Sequence, residues 1–562
     1  MFFTLAVSAA TPERCAELAG RAAGADPSVL PVPGPAVTAW RSPDGRAALL
    51  HWGDAGATAG ATGVESAGES AGGGPGARLT AASRAGTIWA GAAEVCARTS
   101  VTRVDPVYLA EVPGAVVVAD RATWAAWTAS RLDDHDPRHL CALLSPGFPL
   151  GSVTPFTGVS ALDSSTAVHL VNGKVSAGPA PAATGQAGQA GQRGLAAGAR
   201  DVAGTLVAVV APLRAAGRPV ELSLTGGKDS RLVAAALVAA GIPVAASTHG
   251  FTDHPDVMVA AEVARVLGIE HTVRTPSAPG QQVDVLGRIR ATVLVADGML
   301  SAFENVGRPD PAASAALTAG GHGGELLRGG YAETAAGRLP AHGGARNALR
   351  AALSPARRAA RSAELLRRLT TRHLGLVRRG PAAGYVASLA PWTAPLARAP
   401  LHALDDFYLV NRAGRWSAAA RQAYLLREDL IQPLFDDRVV LAARAVPLAD
   451  RVSGALSAAA LAELSPALAG LPLAGKAPAG GKAPFDWRRQ YGDEIASFLR
   501  GYILDAGPGS GLFDVVSRPA AERLLAPPQP DRAAVWALAT LACLVSGDYR
   551  RARETTPRLP AA

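Results

Sequence analysis

Hydrophobic and polar positions change their period around residue 226, and this change predicts a strand that turns into a helix. Leu222 and Leu224 alternate with polar neighbours, as in a half-buried strand, whereas Leu232 and Ala236 recur at helical spacing. Two glycines at 226–227 separate the patterns. Glycines allow a tight turn, and a helix that follows directly presents free N–H groups and the positive end of its dipole. The pattern therefore predicts a place where an oxyanion such as phosphate can bind.

The alternation of strand and helix continues after this helix. The apolar run between Gly241 and Phe251 predicts a second strand. A helix through Leu267 follows it, and Ile269–Val273 predicts a third strand. Strands joined by helices lie parallel through right-handed crossovers. We therefore expect a βαβαβ unit with a parallel sheet in this part of the chain.

Shorter strand-like runs fill the N-terminal part of the chain. They include Ala47–Trp52, Val107–Val112 and Ala115–Ala119. The apolar run Met1–Ala10 is short and has no basic stretch before it, so it predicts a first strand and not a secretory signal. An N-terminal domain built mainly from β-strands is the expectation.

Two stretches have the composition of linkers. Asp54–Gly86 and Gly173–Arg193 are rich in Gly and Ala with Ser or Gln, which predicts chain that does not pack. The second stretch marks a domain boundary. We expect one domain over 1–172, a linker over 173–198, a second domain over 199–550 and a flexible tail over 551–562.

Composition narrows the class of protein. The 562 residues suffice for several domains. The cysteines Cys15, Cys96, Cys141 and Cys543 show neither C-x-x-C nor His/Cys ligand spacing, so they indicate neither a disulfide framework nor a zinc site. No uninterrupted apolar run reaches the roughly 20 residues that cross a bilayer. We expect a cytoplasmic protein without a membrane span.

The net charge of +9 is concentrated in one basic segment, 337–380. The segment contains one acidic residue, Glu364. Its arginines are Arg338, Arg346, Arg350, Arg357, Arg358, Arg361, Arg367, Arg368, Arg372, Arg378 and Arg379. Two interpretations stay open: a solvated helical surface, and a surface that attracts an acidic peptide or protein. No nucleic-acid-binding signature accompanies the arginines, so nucleic acid is not an expected partner.

The glycine turn carries the first family resemblance. Thr225-Gly-Gly-Lys-Asp-Ser230 resembles the pyrophosphate loop S/T-G-G-x-D-S of the N-type ATP pyrophosphatases, which include the asparagine synthetases. It fits neither the Walker A nor the G-x-G-x-x-G spacing. The resemblance implies that ATP is split here to AMP and pyrophosphate. It assigns nucleotide contacts to Leu224, Thr225, Gly226, Gly227, Lys228, Asp229 and Ser230, and to Thr248 and Gly250 near the adenine.

A second glycine-rich run, Ala319–Tyr331, is similar to the asparagine synthetase motif G-E-G-S-D-E-L-F-G-G-Y. It follows the first motif at the family's distance. The resemblance implies nucleotide contacts at Gly321 and Gly323. The family's metal-binding Asp falls on Glu325, so that Asp229 and Glu325 are implied to hold Mg²⁺, which prefers carboxylate oxygens.

His322 takes the position of the family's general base. An imidazole with an ordinary pKa near 6.5 accepts a proton from an α-ammonium group at neutral pH, and the amine must lose that proton before it attacks. The family's active-site lysine is implied at Lys482, within Lys482-Ala-Pro-Phe-Asp-Trp487, and Lys476 is the alternative. A cation there stabilises negative charge that develops beside phosphate.

The whole pattern is similar to the lasso-peptide cyclases of this superfamily. A working glutaminase of the family has a cysteine after the initiator methionine, where this chain has Phe2, so no ammonia is expected from glutamine. The resemblance implies an α+β N-terminal degenerate glutaminase-like (Ntn-type) β-sandwich domain. An α/β adenine-nucleotide alpha-hydrolase-like (PP-loop) synthetase domain with added helices follows it.

The implied activity is closure of an isopeptide ring. ATP and Mg²⁺ serve to activate an Asp or Glu side chain of a precursor peptide, which its N-terminal amine then attacks. A leader-binding protein and a leader peptidase are the implied partners. Two alternatives stay open: an ammonia-dependent asparagine synthetase or small-molecule amide or β-lactam-type synthetase, and an inactive nucleotide- or peptide-binding scaffold.

Overall fold

A computed structural model describes most of the chain. The described residues are 2–24, 37–53, 87–90, 94–180, 193–275, 282–306, 316–336, 355–426, 429–474, 487–506, 509, 511–527, 529, 531–552, 554 and 559–560. The predicted linker Asp54–Gly86 lies outside them, as do Lys476, Lys482 and the first part of the arginine-rich segment, 337–354.

The N-terminal part is built from antiparallel strands. Their bounds are β1 Phe2–Ala9, β2 Val37–Arg41, β3 Ala47–Gly53, β4 Thr87–Ala90, β5 Val95–Arg98, β6 Tyr108–Val112, β7 Ala115–Ala119, β8 Val159–Ala161, β9 Thr166–Val171 and β10 Lys174–Pro179. Among the described residues they form one sheet in the order β2-β3-β1-β7-β6-β8 and another in the order β10-β9-β5-β4. The predicted strands at Met1–Ala10, Ala47–Trp52 and Ala115–Ala119 are confirmed.

These two sheets pack face to face. Ala6, Leu49 and Val118 of the first sheet share an apolar core with Val95 and Leu170 of the second. Leu5 and Val7, which alternate with Ala6, point to the opposite face of β1 and join a larger core with helices. Both faces of the first sheet are therefore buried, which explains its nearly continuous apolar strands.

Helices make up most of the remaining chain. Their bounds are α1 Pro12–Ala23, α2 Ala122–Thr128, α3 Pro137–Leu144, α4 Leu195–Val210, α5 Lys228–Ala239, α6 Pro255–Leu267, α7 Val285–Val295, α8 Gly324–Leu327, α9 Tyr331–Ala336, α10 Pro355–Thr371, α11 Arg379–Ala387, α12 Ala390–Thr393, α13 Pro400–Phe407, α14 Ala418–Leu425, α15 Asp437–Arg444, α16 Leu448–Val452, α17 Ala455–Leu464, α18 Pro466–Ala469, α19 Trp487–Gln490, α20 Asp493–Ala506, α21 Leu512–Val515, α22 Arg518–Leu525 and α23 Arg532–Val545. A π-helical segment, Tyr408–Ser417, connects α13 to α14. The protein is thus a mixed α/β structure with several sheets.

The predicted βαβαβ unit is confirmed. Strands β11 Val220–Ser223, β12 Val244–His249 and β13 Glu270–Arg274 are parallel neighbours, and α5 and α6 connect them. Two further parallel strands, β15 Leu317–Gly320 and β16 Leu430–Ile431, extend the sheet on the other side of β11, in the order β13-β12-β11-β15-β16. Leu222 and Ala246 of the sheet pack against Leu232 of α5.

Two stretches that were expected to lie outside the domains contain strands. The linker predicted over 173–198 contains β10, which pairs with β9, and the first turn of α4. The sequence misses β10 because Gly and Ser interrupt it, although Val175 packs against the core between the sheets. The tail predicted over 551–562 contains β17, Leu559–Pro560, which pairs with β14, Gln282–Val283.

The N-terminal part and the helical part are joined by buried contacts. Arg121 donates to both carboxylate oxygens of Asp297 at 3.0 Å, and both side chains are 1% exposed. The carboxylate of Asp437 at the start of α15 accepts the N–H of Val101 at 3.0 and 3.1 Å. Because the two parts share these contacts and one apolar core, they pack directly on each other.

One helical stretch, Leu195–Ala215, is long and apolar enough to cross a bilayer by length and composition, and among the described residues no second helix is. Its residues Val202 and Leu206 are buried in the core below the parallel sheet. The stretch includes α4, which contacts α5, α15 and α17. A buried core helix can have the same length and composition as a membrane-spanning helix, so the expected absence of a membrane span stays a prediction.

Candidate functional site

The two glycine-rich motifs meet at the carboxyl edge of the parallel sheet. Strand β11 has β12 on one side and β15 on the other, so the chain order reverses between β11 and β15. The turn 224–230 follows β11, and the loop 321–325 follows β15. Ligands of open α/β sheets bind in the crevice at such a switch point.

The first loop is held by its own hydroxyl groups. Ser230 Oγ accepts the N–H of Thr225 at 3.1 Å and lies 3.0 Å from Thr225 Oγ1. Helix α5 begins at Lys228 with Gly227 as its N-cap, and no side chain caps this end. The N–H groups of a first helical turn have no partner within the helix. This end of α5 therefore offers an anion both donors and the positive end of a dipole.

The amides predicted to hold phosphate are already bonded within the protein. Gly226 donates its N–H to Asp256 Oδ1 at 2.8 Å, and Gly227 donates to Thr225 Oγ1 at 3.2 Å. An incoming anion must displace these bonds or use the first-turn amides of α5. Asp256, at the start of α6, is thus a competitor for the predicted phosphate position.

A buried arginine fastens a later segment to this turn. The Arg231 guanidinium donates to three carbonyl groups within 468–472 at 2.9–3.3 Å and to the carbonyl of Gly226 at 3.3 Å. The N–H of Ala474 donates to the same Gly226 carbonyl at 3.1 Å. The chain therefore enters the segment that contains Lys476 and Lys482 beside the glycine turn, while the two lysines lie outside the described residues.

The second loop packs against the first with no space for a Cβ atom at two of its glycines. A Cβ atom on Gly321 would lie 2.3 Å from the backbone nitrogen of Ser230. A Cβ atom on Gly324 would lie 2.0 Å from Asp229 Cγ. Gly323 has φ +96°, a conformation that favours glycine. Gly321 and Gly324 therefore allow the second loop to approach the start of α5 closely.

An ion pair connects the loops. The Arg328 guanidinium contacts Asp229 Oδ1, and it also donates to Glu333 Oε2 at 3.1 Å and to the carbonyl of Gly324 at 3.2 Å. Burial raises the pKa of Asp229, Arg328 opposes this rise, and the negative charge of Glu325 adds to it. Burial alone would lower the pKa of Arg328, but the carboxylates of Asp229 and Glu333 outweigh it and raise the pKa.

The charge of Glu325 acts on Asp229 and on two tyrosines of an aromatic cluster. The rings of Tyr331 and Tyr408 meet edge to face, with centroids 5.0 Å apart. Burial raises the pKa of both tyrosines, and the charge of Glu325 contributes while Arg412 opposes it. The two carboxylates predicted to hold a metal ion are therefore close enough to interact electrostatically, with phenol groups beside them.

His322 is exposed at the tip of the second loop. Its Nδ1 atom lies 3.1 Å from where a Cβ on Gly320 would stand, so the ring covers the end of β15. Among the described residues it has no hydrogen-bond partner. The imidazole is thus free to meet a group that approaches the edge of the sheet.

Other predicted contacts have internal roles. Thr248 is buried, and its hydroxyl donates to the carbonyl of Leu224 at 2.8 Å and lies 2.8 Å from His271 Nε2. Gly250 donates its N–H to the carbonyl of Arg274 at 3.1 Å. Lys228 Nζ lies 3.3 Å from where a Cβ on Gly454 would stand. The Thr248 hydroxyl and the Gly250 N–H therefore stabilise the ends of the strands through hydrogen bonds within the protein.

Sequence reasoning missed Asp256, Arg231 and Arg328 as site residues. A proline followed by an acid marks Asp256 as a helix start, but nothing nearby shows that it reaches Gly226. Arg328 lies inside the second motif, yet its partner Asp229 is 99 residues away. Only the fold brings these charges together.

A cavity of about 290 Å³ lies away from the loops, on the open face of β11, β12 and β13. Glu221, one of the residues that line this cavity, accepts a hydrogen bond from the Ser247 hydroxyl at 3.0 Å and is paired with Arg274.

Comparison with protein-family models and with curated proteins finds no match for this chain.

Proposed function

We propose that the protein is an ATP-dependent, AMP-forming amide ligase that closes an isopeptide ring in a precursor peptide, as the lasso-peptide cyclases do. One observation carries the proposal: two glycine-rich loops interlock at the switch point of a parallel sheet, beside an uncapped helix N-terminus. On this proposal the parallel sheet belongs to a PP-loop synthetase domain. The two packed N-terminal sheets are then a degenerate glutaminase-like (Ntn-type) domain.

The residues present fit a nucleotide with Mg²⁺. The uncapped start of α5 and the hydroxyls of Thr225 and Ser230 suit phosphate oxygens. Asp229 and Glu325 would hold Mg²⁺, whose preferred ligands are carboxylate oxygens. Burial and the charge of Glu325 raise the pKa of Asp229, and a cation opposes both effects. When bound, Mg²⁺ neutralises phosphate charge.

The proposed reaction joins a carboxylate to an amine in two steps. The peptide carboxylate receives AMP from ATP, and pyrophosphate leaves. The amine then attacks the carbonyl carbon, and AMP leaves as the amide bond forms. His322, exposed at the end of β15, takes the proton from the attacking amine. Lys482 is the cation proposed to stabilise the negative charge of both steps.

On this proposal the N-terminal part has no glutaminase activity. The four cysteines are free and buried, so none is presented to glutamine. On the proposal, the attacking amine is the N-terminal amine of the peptide substrate. A leader-binding protein and a leader peptidase remain the proposed partners, and the cytoplasm the proposed compartment.

One observation favours a second candidate, a scaffold that binds without catalysis. The N–H groups of Gly226 and Gly227 are bonded to Asp256 and Thr225, and Asp229 is paired with Arg328. In this arrangement the protein's own groups satisfy the two N–H groups and the Asp229 carboxylate without a ligand. An active ligase must open these bonds when ATP enters.

Product analysis separates these possibilities. The full-length protein is incubated with ATP, Mg²⁺ and the peptide encoded by a short reading frame beside its gene, together with any leader-binding protein and leader peptidase encoded there. The proposal expects AMP formation and a peptide that has lost one water. Asparagine made from aspartate and ammonium would instead identify a synthetase, and no AMP with any substrate would favour the scaffold.

A further inference from the structure

Three metal-ligating side chains converge in the N-terminal part of the molecule, away from the glycine-rich loops. Cys96 of β5 and His169 of β9 are directly opposite each other in neighbouring antiparallel strands. Cys96 Sγ lies 3.4 Å from His169 Nδ1, and Glu94 Oε2 lies 3.2 Å from the same nitrogen. The three ligand atoms all lie within 4.8 Å of one another.

The sulfur–nitrogen and nitrogen–oxygen separations match two edges of a metal-centred tetrahedron. Zinc binds sulfur at about 2.3 Å, nitrogen at about 2.0–2.1 Å and carboxylate oxygen at about 2.0–2.2 Å. With tetrahedral angles, those bond lengths place sulfur and nitrogen roughly 3.5 Å apart and nitrogen and oxygen roughly 3.3 Å apart. Cys96, His169 and Glu94 therefore stand close to coordinating positions before any ion binds.

The chemistry of the three ligands selects the class of ion. A thiolate with an imidazole and a carboxylate suits Zn²⁺ or Co²⁺, whereas Mg²⁺ and Ca²⁺ prefer oxygen alone. Two negative ligands also neutralise a divalent cation.

Exposure provides an entry path. Cys96 is 3% exposed, whereas the side chains of His169 and Glu94 are 51% and 37% exposed. An ion can therefore arrive from solvent, and the thiolate would form its inner ligand. Three protein ligands leave the fourth tetrahedral position to water.

We propose that Glu94, Cys96 and His169 form a zinc-binding site with one coordination position open to solvent. The site connects β5 to β9 and so holds the second N-terminal sheet together. It does not depend on the proposed ligase activity, because it shares no residue with the glycine-rich loops. Sequence spacing indicates no such site, since 73 residues separate Cys96 from His169.

Cobalt binding tests the site on the full-length protein. Co²⁺ is titrated into metal-free protein, and the near-ultraviolet sulfur-to-cobalt charge-transfer band is recorded. We expect one equivalent to produce the band and Zn²⁺ to remove it. C96S should lose the band, and H169A and E94Q should weaken Co²⁺ binding by at least about tenfold.

Matched variants distinguish binding at Cys96 from binding elsewhere on the protein. C15S changes another buried cysteine and should keep the band. D229N removes a carboxylate of the glycine-rich loops and should also keep the band, because cobalt bound there by oxygen gives no sulfur-to-cobalt band. The proposal fails if wild-type protein shows no band, or if the band survives in C96S. If C96S does not fold, unchanged Co²⁺ affinity in both H169A and E94Q overturns it equally.

Discussion

The guanidinium of Arg328 is paired with the carboxylate of Asp229, and this contact joins the loop after β15 to the start of α5. Arg328 also holds Glu333, so one cation serves two carboxylates. The Asp229 side chain is 25% exposed and that of Arg328 is 9% exposed. The pair therefore positions Asp229 at the crevice and offsets its charge when no other cation is present.

Replacing Arg328 tests this structural role. R328Q leaves Asp229 and Glu333 without their cation in a mostly buried place, so we expect a loss of about 2–4 kcal/mol in the free energy of unfolding. Urea denaturation measures it. The control is R367Q, which removes an exposed pair with Glu364 and should lower the free energy of unfolding much less than R328Q does, because exposed ion pairs contribute little. Equal losses in the two variants would contradict the role assigned to Arg328.

His322 should act on the second step alone. H322A removes the proposed base, so we expect amide formation to fall by about 100-fold or more while ATP–pyrophosphate exchange with the peptide continues. Exchange and ring closure are measured on the same preparation. If H322A loses both activities together while its denaturation midpoint is unchanged, His322 is not the base of the second step.

The choice between two lysines is also open to test. Lys482 is the predicted active-site cation, and Lys476 stands in the same Gly-Lys-Ala-Pro context. We expect K482A to lower kcat by about 100-fold or more, because it removes a cation next to developing negative charge. K476A is the matched control and should retain most activity. The reverse result would transfer the role to Lys476.

Asp437 makes stability depend on pH in a defined window. Burial raises its pKa to about 6, although the Val101 N–H opposes the rise. In the unfolded chain an Asp pKa is about 3.9, so between these values the folded protein binds more protons than the unfolded protein. Stability from this group therefore falls as pH rises from about 4 to 6, by roughly 1–2 kcal/mol.

D437N should remove this slope. The amide keeps an acceptor for Val101 but carries no charge at any pH in the window. Urea midpoints from pH 4 to 7 measure the difference between wild type and variant, and D253N on an exposed acid is the control. A slope that is unchanged in D437N would show that Asp437 does not titrate as described.

Local pattern predicted the parallel strand–helix unit and several of the N-terminal strands. Leu222, Leu232 and the glycines between them specify a strand, a turn and a helix through neighbouring residues alone, and the parallel unit follows from that order. Asp256 meets Gly226 across 30 residues, and Arg328 meets Asp229 across 99. Such contacts depend on how the elements pack, which no local period records.

Dependence on packing also explains why the sequence did not predict strand β10 or the cluster of Glu94, Cys96 and His169. Val175 in β10 is one apolar residue among Ser, Ala and Gly, so only its pairing with β9 identifies a strand. Cys96 and His169 become partners through the register of β5 against β9. By contrast, the family resemblance pointed to both glycine-rich motifs, which the fold brings into contact, and the nucleotide contacts stay a prediction.

The most direct test of the central claim is calorimetric titration of ATP with Mg²⁺ into full-length wild type, G324A and G384A. A methyl group on Gly324 would meet Asp229, whereas one on Gly384 in α11 meets nothing within 4 Å. We predict saturable binding by wild type and G384A, and a loss of about tenfold or more in G324A, because small displacements at such a site are costly. No binding by wild type, or equal affinity in all three proteins, would contradict the claim that these loops hold ATP.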